Sequence, residues 1–194
     1  MISFMRVKRI ARMSVASLAL PGLAVAHPGH VGGVPFTAGL LHPMGGLDHM
    51  LAMVVLGLIA AQMGGRALWA LPATFIGAAL VGGATGQLGY PGLAVEPMIL
   101  ASIVVMGGLV MIAARMPMVS MLPMAAIFGL AHGWAHGIEA PTAGFVTYAA
   151  GFGLTTLALH LAGILTGQIF LKSRILRGLG AVVAVSGMAL GFVS

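Results

Sequence analysis

Cysteine is absent from this chain and charge is nearly so, and each absence closes off a class of protein. Without cysteine there are no disulfides and no thiolate metal sites. The acidic residues are three in number, Asp48, Glu96 and Glu139, in 194 residues of which 6% are charged and 60% hydrophobic. With a mean hydropathy of +1.10, no soluble domain of this size could hide so much apolar surface. The composition therefore reads as a polytopic membrane protein whose partner is the lipid bilayer. No nucleotide-binding motif is present, so ATP would have to act through another subunit.

The formal charge of +6 and pI of about 11.3 point misleadingly to nucleic acid, because Arg6, Lys8, Arg9 and Arg12 all fall in the first dozen residues. They precede an apolar stretch over residues 15–25 and the small-x-small run Ala24-Val25-Ala26. This pattern predicts a secretory signal peptide over residues 1–26, with a mature chain, 27–194, beginning at His27. The rival, an uncleaved anchor, is disfavoured by the short apolar part and by Pro21-Gly22. The mature chain then carries five basic against three acidic residues, a net +2, and nucleic acid drops out as a partner.

The fold class expected is all-α: six transmembrane helices in one bundle, near residues 37–61, 67–86, 97–114, 118–138, 143–171 and 175–193. Each is long enough to cross ~30 Å of hydrocarbon. Arg66, Arg115 and the group Lys172, Arg174 and Arg177 fall in or beside the first, third and fifth connections. The second and fourth connections carry only Glu96 and Glu139 at their edges. A positive-inside pattern of this kind places both mature termini outside. Small residues at four-residue spacing (Gly129, Gly133 and Gly137; Gly82 and Gly86; Gly187 and Gly191) predict close helix packing in lipid.

Ionisable groups inside a membrane mark function, and two clusters stand out. The first is His42-Pro43-Met44-Gly45-Gly46-Leu47-Asp48-His49 at the head of the first span. On a regular helix His42 and His49 would share a face within about 20°, and Asp48 would point roughly 100° away from His49. Two readings follow: Asp48 orients a histidine, or Pro43 and Gly45-Gly46 unwind the helix locally, as in transporters with broken helices. The second cluster is His132-Gly133-Trp134-Ala135-His136-Gly137-Ile138-Glu139 at the outer end of the fourth span. There His132, His136 and Glu139 lie on one helical face within about 60°. Imidazoles and carboxylates in this combination outline a site for a first-row divalent metal, and the topology lets the two clusters converge in the outer half of the bilayer.

These motifs, His42-x5-Asp48-His49 and His132-Gly133-x-Ala135-His136-Gly137-x-Glu139, resemble the two signatures of the HupE/UreJ family of bacterial nickel and cobalt permeases. The resemblance extends to leader, span number and length. It implies import of nickel or cobalt from the periplasm to supply metalloenzyme maturation such as hydrogenase or urease. It also implies His42, Asp48, His49, His132, His136 and Glu139 as the metal-handling residues, with the ion as transported substrate and no resident cofactor. One departure is Ala131, where the family often has Phe before the first motif histidine; Phe128 lies one turn away.

Four residues are accessory candidates for metal. His27 and His30 sit in a glycine-rich leader that could gather ions weakly. Glu96 could complete the site or recruit cations to its mouth. His160, deeper in the fifth span, is either an inner stepping stone or, the reading favoured by nearby Thr155 and Thr156, a hydrogen-bonded structural histidine. Met116, Met118, Met121 and Met124 read as apolar filler rather than a copper site. Trp69, Trp134 and Tyr148 read as interfacial anchors. The chain is thus expected to be a transporter and not an enzyme, with no catalytic residues assigned. The competing class is an intramembrane metal-dependent hydrolase using the same cluster, for which neither a substrate groove nor a general base outside the ligands is identifiable. A haem-binding cytochrome is disfavoured by the carboxylates. Oligomeric state, a homo-oligomer included, is left open, as is the choice between nickel and cobalt.

Overall fold

The computed structural model describes residues 34–92 and 94–192. The expected signal peptide and the accessory candidates His27 and His30 lie outside them. Within them the chain is all-α: α1 (Pro35–Leu41), a 3-10 turn (His42–Met44), α2 (Leu47–Met63), α3 (Ala67–Gln87), α4 (Val95–Met111), α5 (Met118–Glu139), α6 (Phe145–Ile169) and α7 (Arg174–Gly191). Four of these, α3, α5, α6 and α7, are long and apolar enough to cross a membrane, and α4 is a shorter apolar helix of 17 residues.

The first expected span is not one straight helix. α1 with its 3-10 turn meets α2 at 80°, for a local reason. Pro43 has no N–H to continue the ladder, and Gly46 takes an extended conformation (φ −116°, ψ 124°) before α2 begins. Proline and glycine thus break the apolar run in its middle. α2 stops at Gly64, whose φ of +68° lies in the left-handed region that glycine enters without penalty.

Helices pair through backbone contact. A Cβ on Gly133 would overlap the carbonyl of Ala79, and one on Gly137 would overlap that of Gly83, so α5 lies directly against α3. Gly57 of α2 meets the carbonyl of His160, and Gly163 of α6 meets that of Val54, closing a second pair. In lipid such close approach supplies the association energy that the hydrophobic effect does not. Of the expected pair on α7, Gly187 is tight against Ile103, whereas at Gly191 a Cβ would make only an ordinary 3.6 Å contact with Leu100.

Buried side chains from α2 through α7, among them Met53, Leu56, Leu71, Phe75, Ile103 and Met121, form the core. Large apolar residues such as Val119, Val146 and Ile169 are exposed. For a chain surrounded by hydrocarbon, an outward apolar surface of this kind is the matched one.

Candidate metal centre

The break between α1 and α2 sets the site. Turning at His42 directs its ring toward the C-terminal end of α5, where its Nε2 lies 3.0 Å from Oε2 of Glu139. The same ring meets His136 with centroids 4.6 Å apart and Tyr148 at 5.6 Å. One ligand atom each from His42, His136 and Glu139 fall within 4.8 Å of one another. Donors around one metal with bonds of about 2.1 Å stand roughly 3–4 Å apart, so small side-chain adjustments would close this group around an ion.

His49 stands on the other side of the break, in the first turn of α2. Its Nδ1 lies 2.8 Å from Oδ1 of Asp48, and the same oxygen accepts the backbone N–H of His49 at 2.8 Å. With Nδ1–H donating to the carboxylate, Nε2 carries the lone pair, and that atom is buried without a hydrogen-bond partner. The ring packs against His136 at 4.3 Å and His132 at 5.1 Å. Of the two readings for this stretch, both hold: the helix is broken and Asp48 orients its neighbour.

His132 repeats the device. Its Nδ1 donates to the carbonyl of Phe128 at 2.8 Å, leaving a buried, unpartnered Nε2. Such outer contacts fix the tautomer and aim the free nitrogen of a metal-binding histidine. Phe128, noted for the departure at Ala131, therefore enters through its backbone. His136 has neither ring nitrogen hydrogen-bonded and is 5% exposed. Exposure falls along the series from Glu139 (63%) through His42 (21%) and His136 to His132, which is fully buried. Polar side chains thus lead inward from the exposed Glu139 to the buried His132. Unpaired buried imidazoles cost free energy, and a ligand that engages them recovers it.

All six residues singled out in the two motifs lie in this one region. Glu96 does not join the three ligand atoms: it is exposed in the first turn of α4. His160 is fully buried and lacks the expected hydrogen bond, because Thr155 instead donates to the carbonyl of Leu40 at 2.7 Å. Met121 lies in the core with Met118 and Met124 packed against it, as filler.

Tyr148 departs from the sequence reading. It is 3% exposed and faces His42, so it is no interfacial anchor. α6 crosses beneath the break, with Gly39 against the carbonyl of Tyr148, and so buries the ring. Phe152, against His136 at 4.7 Å, and Phe75, between two histidines, were also missed. Their only sequence signal is apolar periodicity, which any core residue shares. Trp69 is 60% exposed, as an anchor would be, while Trp134 donates its indole N–H to the carbonyl of Tyr90 at 2.8 Å.

The family described as HupE / UreJ protein matches residues 15–190. Protein HupE of Rhizobium leguminosarum bv. viciae is 41% identical over 185 residues, spanning 91% of this chain and 94% of that protein. No solved structure matches the chain. The paired histidine motifs, the apolar helices that carry them and this match across nearly the whole sequence place the chain in the HupE/UreJ family.

Proposed function

We propose that this chain is a membrane transporter that imports nickel or cobalt ions from the periplasm, through a site formed by His42, Asp48, His49, His132, His136 and Glu139. The observation that carries the reading is the meeting of His42, His136 and Glu139 within 4.8 Å, inside an apolar helical protein of the HupE/UreJ family. Nitrogen and carboxylate ligands suit Ni(II) and Co(II), and the lack of thiolates avoids a grip too tight for release. Glu139 and His42 receive the ion at the mouth; His136, His49 and His132 then offer ring nitrogens in exchange for water. Asp48 acts by holding His49.

In this reading α1, its turn and α2 together make the first of six spans, α4 crosses as the shortest, and the mature termini face the periplasm after removal of residues 1–26. The basic residues at Arg66, Arg115 and Lys172–Arg177 support that orientation. The metal imported would serve maturation of an enzyme such as hydrogenase or urease.

The test is radionickel uptake at low external nickel, in cells lacking their own nickel transporters. Wild type is compared with His49→Ala and His136→Ala at matched membrane levels. Uptake that both substitutions abolish is expected. Uptake that survives both would make the histidines structural, and no uptake of nickel or cobalt by well-inserted wild type would end the permease reading.

A further inference from the structure

One buried polar pair lies outside the site just described. His160 is 0% exposed and neither of its ring nitrogens has a hydrogen-bond partner. Thr156 is also 0% exposed, with an unpartnered hydroxyl. The two are four residues apart on α6 and therefore share one face of that helix. Thr155, the other nearby hydroxyl, is committed to the carbonyl of Leu40. A histidine kept for structure would be expected to satisfy at least one nitrogen, since an unsatisfied buried group costs about 1–3 kcal/mol.

The pair is linked to the metal centre by a single ring. Phe75 of α3, fully buried, lies with its centroid 5.3 Å from His132 and 5.2 Å from His160. His132 is the most buried histidine of the centre, so the two imidazoles are successive nitrogen-bearing groups in contact with one phenyl ring. α2 closes the other side, with Gly57 against the carbonyl of His160.

We propose that His160, with the hydroxyl of Thr156, is a second and inner resting site for the transported divalent cation, entered from His132 past the ring of Phe75. The inference rests on the transport reading above and extends it across the apolar part of the protein. One neutral imidazole and one hydroxyl are a sparse ligand set. That suits a transit position, which must accept a partly dehydrated ion and give it up again.

The experiment uses the full protein purified with wild type, His136→Ala, His160→Phe, His160→Gln and Thr156→Val in parallel. Equilibrium binding of radionickel in detergent and initial uptake into proteoliposomes are both measured, alongside thermal unfolding. Phenylalanine keeps the aromatic volume but offers no ligand; glutamine restores an oxygen donor. If the inner site exists, His160→Phe keeps nickel affinity within about threefold of wild type while uptake falls about tenfold or more, the scale of losing a supporting metal contact. His160→Gln then recovers part of the rate, Thr156→Val loses part, and His136→Ala loses binding and uptake together. Wild-type uptake by His160→Phe overturns the inner site, and so does joint loss of binding and uptake in that variant. If wild type neither binds nor transports nickel or cobalt, the transport reading itself fails and the inner site falls with it.

Discussion

Asp48 and His49 are adjacent in sequence yet act as one unit: a single carboxylate oxygen, Oδ1, lies 2.8 Å from both the ring Nδ1 and the backbone nitrogen of His49. In the transport reading proposed above, the carboxylate acts by holding the ring of His49 in one direction. Asp48→Asn keeps the shape but removes the charge. Nickel affinity is expected to fall about 10–100-fold, as for other outer partners of metal-binding histidines. Radionickel binding to the purified variant checks this, and an unchanged affinity would remove Asp48 from the site.

Glu139 and His42 join two elements, the end of α5 and the turn after α1, through their 3.0 Å contact. Glu139→Gln removes a charged oxygen from the three-atom group. Its loss of uptake at low nickel should at least match the ~10–100-fold expected for an outer partner. Uptake rates across a nickel series are the measurement.

Histidines bind metal only when deprotonated, so protons compete with the ion and nickel binding by these imidazoles should weaken as pH falls. Radionickel binding to the purified protein across a pH series measures this. An affinity that does not fall on acidification would argue against imidazole ligation.

Packing makes its own prediction. Gly133→Ala forces a methyl group into the carbonyl of Ala79, whereas a Cβ on Gly77, in the facing helix, meets nothing within 4 Å. The first substitution should destabilise by about 1–3 kcal/mol, and the second should be neutral or slightly stabilising, since alanine is the better helix former. Unfolding temperatures in one detergent compare the two.

Thr155 ties α6 to the interrupted end of α1 through the Leu40 carbonyl at 2.7 Å. Thr155→Val leaves that carbonyl without its donor and should cost about 1–3 kcal/mol, with uptake falling as the break at His42 loosens. Thr155→Ser keeps the hydroxyl and should restore both stability and uptake. Equal stability in all three proteins would show that the bond contributes nothing.

Composition alone points to a membrane protein, because 60% hydrophobic residues with three acidic groups are hard to bury in a soluble domain, and the apolar helices of the fold agree with it. The candidate ligands are legible for the same reason: in so apolar a chain every histidine and carboxylate needs a partner, and the spacing in α5 sets His132, His136 and Glu139 together without knowledge of the fold. Helix periodicity serves poorly across Pro43 and Gly45-Gly46. It would place His42 and His49 on one face of one helix, whereas they stand on two segments meeting at 80° and come together only through His136. Tyr148 carries no mark that separates a lipid-water anchor from a buried ring, and burial follows from how α1 crosses α6. Likewise Thr155 bonds Leu40 rather than serving His160. Local sequence determines which groups are costly to bury, because that depends on their chemistry; which of them meet is decided by helix packing, where glycine contacts far apart in the chain bring the backbones together.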